Sequence, residues 1–178
     1  MNRVKYIGAL IISKLTGRGN AYIIKKLREE GITIGKGTCI FSNINSSEPY
    51  LIEIGDNCTI STEVSFITHD ASVGVFAGKN IYSDICGRIK VGNNCFIGCK
   101  AIILYGVSIP DNTIVAAGSV VSKTITEPGC IVGGNPAKVI GRVEDYLKKN
   151  ENFFLSLHGL SPSDRKEKIL NTKRFISR

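Results

Sequence analysis

The chain of 178 residues contains only two histidines, and one of them stands in a position suited to catalysis. His69 lies in the tripeptide Thr68-His69-Asp70, at the start of residues 67–84, which interrupt an otherwise regular pattern. Loops that leave a rigid scaffold are where catalytic groups concentrate. A neutral imidazole can take a proton from a hydroxyl group and return it later. A lone histidine is more often structural than catalytic, so the residues alone make His69 a candidate general base, and we expect His158 to be a surface residue of the tail.

Three carboxylates could orient that imidazole, and the sequence leaves the choice open among Glu63, Asp70 and Asp84. Asp70 is adjacent to the histidine, but neighbours along an extended chain usually point in opposite directions. Cys99 is a rival nucleophile. Because no histidine lies near Cys99 in the repeat, we expect it to pack or to line a ligand site.

The elements that must position His69 follow from a repeat of six residues. Reading every sixth residue gives only β-branched aliphatic side chains: Ile85, Val91, Ile97, Ile103, Ile109, Val115 and Val121. Small or medium-sized residues precede the next member by two places: Ile89, Cys95, Ala101, Val107, Thr113 and Ser119. A chain that turns a corner after every six residues explains this period. Three such segments close a triangular coil, and successive coils stack as parallel strands around one core.

Composition and charge agree with a strand-rich protein that binds anions. Ile, Val and Gly are plentiful. The net charge of +8 attracts anions, and by itself it does not choose among nucleic acid, an acidic membrane and small phosphorylated ligands. The basic residues are dispersed without interleaved aromatics, so we expect no nucleic-acid partner. Six cysteines without a CxxC pair, and no recognisable secretory signal, favour reduced thiols in a cytoplasmic protein.

The chain divides into three predicted regions. Residues 1–30 form an N-terminal helical segment of two short helices, the second capped by Asn20. We expect the first helix to pack on the coil, and membrane contact is the weaker alternative. Residues 31–141 form the coil domain with the protruding loop 67–84, and residues 142–178 form a C-terminal helical tail that caps the coil.

Four motifs resemble one known superfamily. They are the segments IGDN from Ile54, VGNNCFIG from Val91, AAGSVVSK from Ala116 and GNPAKVI from Gly134. The pattern is similar to the hexapeptide-repeat acyltransferases, in the branch of the maltose, galactoside and xenobiotic acetyltransferases and the polysaccharide O-acetyltransferases. This resemblance implies a mainly β fold, a single-stranded left-handed parallel β-helix. It also implies acetyl coenzyme A as co-substrate, a small-molecule or glycan acceptor, a homotrimer and no metal.

The resemblance also implies roles for individual residues. His69 would take the proton of a sugar hydroxyl as it attacks the thioester, with direct transfer in a ternary complex. The residues expected to bind coenzyme A are Gly98, Cys99, Ala117, Ser122, Lys123, Lys138 and Arg142. The residues expected at the acceptor are Asn43, Asp70 and Asp84.

Other functions stay open at this point. Transfer to a sugar amine or to an antibiotic hydroxyl would use the same groups. A non-catalytic trimeric scaffold is an alternative of a different class, which the basic pattern at Lys123 and Lys138 argues against. A zinc hydratase like the γ-class carbonic anhydrases is disfavoured, because it requires three histidine ligands.

Overall fold

The computed structural model describes Ile7 and residues 20–79, 83–157 and 159–175, with the backbone alone at 76–79. The chain divides into two compact units, Met1–Val143 and Glu144–Arg178. The predicted first helix and His158 lie outside the described residues.

From Asn20 onward, the described residues of unit 1 form one α-helix and many short strands. Helix α1 is Asn20–Glu29. The strands are β1 (Thr33–Ile34), β2 (Cys39–Ile40), β3 (Ile52–Ile54), β4 (Thr59–Ile60), β5 (Ser65–Ile67), β6 (His69–Asp70), β7 (Ile85–Cys86), β8 (Ile89–Val91), β9 (Phe96–Ile97), β10 (Ile102–Leu104), β11 (Ser108–Ile109), β12 (Ile114–Val115), β13 (Val120–Val121), β14 (Cys130–Gly133) and β15 (Lys138–Arg142). Short 3-10 helices occupy Pro49–Leu51 and Ser72–Lys79.

Three parallel sheets form the sides of a coil. Face A contains β1, β3, β8 and β11; face B contains β2, β4, β9, β12 and β14; and face C contains β5, β10 and β13. The chain visits the faces in the order A, B, C, and each strand pairs in parallel with the strand one coil away. The predicted triangular coil is therefore present. Below, the coil means the three faces together, and one coil means a single circuit of the chain through them.

The coil interior is built from the predicted ladders of aliphatic side chains. Ile97, Ile103 and Val115 are fully buried, and the positions two places earlier are buried as well. Cys58 and Cys95 occupy such earlier positions, and all six cysteines are free thiols. The repeat fails at one predicted member: Ile85 is 49% exposed and lies in β7, outside the coil.

The corners of the coil require backbone shapes that few residues adopt. Asn57, Asn94 and Asn112 stack at one corner with positive φ angles of 54°, 54° and 58°, a region that asparagine tolerates better than most residues. At the next corner a side chain on Gly98 would lie 2.5 Å from the backbone nitrogen of Ala117. Close stacking of the coils thus requires glycine at position 98, whatever else binds there.

Helix α1 covers the first open end of the coil. It buries Ile23 and Leu27 against the core. The sequence predicts that Asn20 caps this helix, but its side-chain amide bonds a strand. The amide nitrogen donates to the Ile40 carbonyl, and the amide oxygen accepts from the Ile40 N–H. Arg28 donates to the Ile34 carbonyl at 2.7 Å. Both side chains satisfy backbone groups that an edge strand would otherwise leave unpaired.

At the other end of face B, β15 returns antiparallel to β14 and pairs with it. Helix α2 is Val143–Asn150, beginning at the last residue of unit 1, and helix α3 of unit 2 is Pro162–Leu170; both lie within the predicted helical tail of residues 142–178. Ser161 caps α3 by accepting from the Asp164 N–H. Within the described ranges, we find no helix with the length and apolar character needed to cross a bilayer.

Candidate functional site

Two irregular segments of neighbouring coils meet beside face C. In the first coil, the chain from Asn45 to Pro49 replaces a strand of face C. In the second, the chain leaves β5 and forms the antiparallel pair β6–β7, in which His69 faces Cys86 across the two strands. We call residues 45–49 and 68–70 together the site segments, because they bring together the polar groups described next.

The His69 imidazole contacts a carboxylate that lies one coil away. Its Nδ1 is 2.8 Å from Oε2 of Glu48. The histidine side chain is 37% exposed and that of Glu48 is 20% exposed. His69 borders a cavity of about 280 Å³ whose walls also include Asn45, Ser46 and Phe66. The ring is thus held on one edge while the cavity is open to small molecules.

The protons of this pair can be assigned from chemistry. The Thr68 hydroxyl donates to Oε2 of Glu48 at 2.7 Å and, together with His69, holds the pKa of that carboxyl below its usual range, although partial burial opposes this. An ionised carboxylate can only accept, so Nδ1 of His69 is the donor. In a neutral imidazole the lone pair then lies on Nε2, which has no partner among the described residues. The arrangement can accept a proton at Nε2.

The three carboxylates that the sequence offered for His69 do other things. Asp70 accepts from the Tyr105 hydroxyl at 2.9 Å and from the Ser72 N–H at 2.7 Å, and these donors, Ser72 first, lower the pKa of Asp70. Glu63 lies 3.8 Å from the Lys100 ammonium on the surface. Asp84 is exposed, and no hydrogen bond or ion pair joins it to the described part of the chain. The structure therefore places none of them on His69.

Sequence reasoning missed Glu48, Ser46 and the hydroxyl of Thr68. A signal was available in the spacing. Cys39 pairs with Thr59 one coil later, and Thr68 contacts Glu48 across the same interval of 20 residues. Two breaks in the repeat that are one coil apart must lie side by side, because the coils stack in register.

Asn43, expected at the acceptor, lies two residues before the first site segment, outside any strand. It borders a second cavity of about 590 Å³ together with Phe41, Thr62 and Glu63. Its carbonyl oxygen Oδ1 is buried without a hydrogen-bond partner. A buried acceptor of this kind costs free energy unless a ligand or water donates to it.

The residues expected to bind coenzyme A fall into two groups. Gly98, Cys99 and Ala117 lie at one corner, between faces B and C, where the Thr62 hydroxyl donates to the Cys99 thiol at 3.2 Å. This contact and the absence of a histidine beside Cys99 in the described part of the coil leave the thiol without a base. Cys99 is half-buried, which agrees with a lining position.

The second group is basic and lies at the far end of the coil. Lys123, which follows β13 and the exposed Ser122, borders a cavity of about 300 Å³ together with Lys138 of β15. Arg142, at the end of β15, is 3.5 Å from the Glu127 carboxylate. Two lysines and one carboxylate, that of Glu127, line this cavity, so its net charge is positive, and Glu127 also partly offsets the charge of Arg142.

The described part of the chain contains no set of side chains that could bind a metal ion. No group of three histidine, cysteine, aspartate or glutamate side chains is arranged there to hold an ion.

Sequence comparison relates the chain to acetyltransferases. Residues 88–123 match the family described as hexapeptide repeat of succinyl-transferase. Protein CapG of Staphylococcus aureus is 45% identical over 128 residues, which are 70% of this chain and 73% of CapG. Galactoside O-acetyltransferase of Escherichia coli (strain K12) is 34% identical over 116 residues, 64% of this chain and 55% of that enzyme. The chain thus spans about half the length of the galactoside enzyme.

A solved structure extends the comparison to the fold. A hexapeptide-repeat-containing acetyltransferase of Vibrio cholerae O1 biovar eltor, complexed with acetyl coenzyme A, superposes with a TM-score of 0.57 and 31% identity. The match covers 64% of this chain and 61% of the other. Together with the three parallel faces, it confirms the predicted left-handed parallel β-helix.

Proposed function

This chain belongs to the hexapeptide-repeat acetyltransferase family and is an acyltransferase, and we propose that it transfers the acetyl group of acetyl coenzyme A to a hydroxyl group of a sugar or polysaccharide precursor. The observation that carries the proposal is the Glu48–His69 pair at 2.8 Å, with His69 at the wall of a cavity. The names of two relatives, one a galactoside O-acetyltransferase and one solved with acetyl coenzyme A, support the donor and the acceptor class.

The proposed reaction is a direct transfer in a ternary complex. Nε2 of His69 takes the proton of the sugar hydroxyl while the hydroxyl oxygen attacks the carbonyl carbon of the thioester. The tetrahedral intermediate collapses by breaking the carbon–sulfur bond. His69 then gives its proton to the leaving thiolate, so the products are an acetyl ester and free coenzyme A. Glu48 stabilises the imidazolium that exists between these two proton transfers.

The cavities beside His69 and Asn43 suit the acceptor of this reaction. We place the acceptor near His69 and Asn43, where a sugar hydroxyl could donate to the unpaired Oδ1 of Asn43. The carboxylate of Asp70 has protein donors on both oxygens, so in this proposal it shapes the acceptor site without binding the sugar. Asp84, exposed at the end of the loop, is available to a larger acceptor.

The coenzyme is proposed to lie along the corner of Gly98, Cys99 and Ala117. Its phosphates would lie near Lys123 and Lys138, since cationic groups attract the charge of the nucleotide. Ser122 and Arg142 flank that end. We propose a homotrimer, in which the groove is completed by the adjacent coil.

The test is an assay of thiol release from acetyl coenzyme A with a panel of hexoses, amino sugars and oligosaccharides. We expect a product that carries one acetyl group as an ester, which hydroxylamine cleaves. His69→Ala should lower kcat by about 10²–10⁴-fold with the affinity for coenzyme A unchanged in calorimetry. His158→Ala is the matched control.

Three results would contradict this function. A hydroxylamine-stable product would indicate transfer to an amine. Full activity of His69→Ala would remove the assigned base. Failure to bind coenzyme A would favour the scaffold role. Light scattering of the purified chain tests the trimer separately.

A further inference from the structure

The hydroxyl of Thr68 lies at the centre of a small hydrogen-bond network. It is 2.7 Å from Oε2 of Glu48 and 2.7 Å from the Ser46 hydroxyl. The Ser46 oxygen in turn accepts from the Glu48 N–H at 3.1 Å. Thr68 as a whole is 2% exposed. The Thr68 hydroxyl at the centre is therefore sheltered from water, which strengthens the bonds it makes, while the Glu48 side chain stays 20% exposed.

Counting protons fixes the direction of every bond in this network. A hydroxyl has one proton, and an ionised carboxylate can only accept. Thr68 must therefore donate to Glu48, and Ser46 must donate to Thr68. The result is a chain in one direction, from Ser46 through Thr68 to Glu48, that meets the Nδ1–H of His69 at the same carboxylate oxygen.

The backbone holds Thr68 in place from both sides. The strand β5 that precedes it pairs with β10 of the next coil, and the Thr68 carbonyl accepts from the Gly87 N–H at 3.0 Å. A β-branched side chain on an extended backbone has few rotamers available. Thr68 thus presents its hydroxyl to Glu48 from a fixed point, whereas Glu48 lies in a segment without strand pairing.

We propose that Thr68 is a positioning residue: its hydroxyl fixes the Glu48 carboxylate against Nδ1 of His69, so that the lone pair of the imidazole stays on Nε2. The kinetic part of this inference rests on the proposed function, because it requires His69 to be the base. The part that concerns the tautomer does not, since it follows from the network alone.

The experiment uses the small number of histidines in the chain. In a His158→Gln background, ¹⁵N-labelled histidine gives signals from His69 alone, and these report which ring nitrogen carries the proton. Thr68→Val removes the hydroxyl and keeps the shape, and Thr68→Ser restores the hydroxyl. Thr38→Val is the matched control, because the buried Thr38 hydroxyl bonds Gly55 and Cys58 far from His69 in the coil.

For Thr68→Val we expect the Nδ1–H tautomer to lose its dominance and kcat to fall by about 10-fold, with KM within about twofold of the wild type. Thr68→Ser should restore both. Thr38→Val should lower the melting temperature while the tautomer and kcat stay as in the wild type. Ser46→Ala, which removes the first donor of the chain, should give a smaller change in the same direction.

The inference is overturned if Thr68→Val keeps the wild-type tautomer while the separate variant His69→Ala has lost activity. If instead His69→Ala stays active, the proposed function fails, and the tautomer spectrum still decides whether Thr68 governs Glu48. If Thr68→Val does not fold, the tautomer spectrum and kcat are measured on Ser46→Ala instead.

Discussion

The coil and the site segments are built on opposite principles although they are continuous in sequence. In the coil, fully buried aliphatic side chains such as Ile97 and Ile103 recur with the period of the repeat. In the site segments, His69 and Glu48 are partly exposed and are held by hydrogen bonds. The coil derives its stability from burial of apolar area. The site segments contribute little burial and are therefore free to hold polar groups where a substrate can reach them.

This contrast predicts which substitutions should affect stability and which should affect catalysis. Substitutions inside the coil should change the free energy of unfolding and leave kcat of the folded protein intact. Substitutions of Glu48 and His69 in the site segments should do the reverse, whereas Asp70, which is held by two protein donors, should contribute slightly to stability. Each variant below is a way to break that separation or to measure it more closely.

Ile89→Ala should give the largest effect on stability. Ile89 is 0% exposed and pairs with Ile52 of the coil below. Removing three methyl or methylene groups there leaves a cavity, so we expect a loss of about 2–5 kcal/mol in urea unfolding. The adjacent outward residue Lys90 is the control, and Lys90→Ala should stay within about 0.5 kcal/mol. A lower kcat in folded Ile89→Ala protein would break the separation.

Glu48→Gln should have the largest effect on catalysis after loss of His69 itself. A neutral amide stabilises an imidazolium poorly, and it can donate to Nδ1 and so favour the wrong tautomer. We expect kcat to fall by about 10²-fold or more in the thiol-release assay, with the melting temperature nearly unchanged. Glu53→Gln is the matched control, since Glu53 lies on the outer side of face A, 3.6 Å from Arg88. An unchanged kcat in Glu48→Gln would show that His69 needs no carboxylate.

The period of six predicted the inward ladders of the coil because burial repeats along the chain. It went wrong at Ile85 for a physical reason. Ile85 stands six residues before Val91, but a residue can match that phase without lying on a face of the coil. The β6–β7 hairpin returns to the coil only at Ile89, so the match at Ile85 is one of spacing alone.

The orienting carboxylate could not be found by looking near His69 in the sequence. Glu48 is 21 residues away and is brought close by stacking of the coils. The side chain of Asn20 is a second example, because it pairs with Ile40 across 20 residues and does not cap its own helix. In a solenoid the important neighbours are one coil away, and an irregular segment hides the count of residues per coil.

Asp70→Asn should have a small effect that depends on pH. The Ser72 N–H and the Tyr105 hydroxyl lower the pKa of Asp70 in the folded state, so this group stabilises the protein above its unfolded pKa, and the contribution is lost as pH falls through the folded pKa. The wild type should melt at most about 4 °C above Asp70→Asn at pH 7. This gap should begin to shrink as the pH falls through the unfolded pKa of about 3.9, and it should vanish once the pH lies below the lowered folded pKa.

Tyr105→Phe tests the same anchor with one of the two donors removed. Its melting temperature at pH 7 should lie between those of the wild type and Asp70→Asn. A gap that widens as the pH is lowered would contradict the assignment of these bonds to the ionised form of Asp70.

Glu63→Gln should have the smallest effect, and it separates a surface glutamate from Glu48. Glu63 and Lys100 are 3.8 Å apart with side chains 70% and 68% exposed, so water screens the pair. A double-mutant cycle of Glu63→Gln and Lys100→Ala, followed by urea unfolding, should give a coupling below about 0.5 kcal/mol. A coupling well above that value would mean that the corner at Glu63 is covered in solution, and burial by an adjacent subunit would follow as the physical cause.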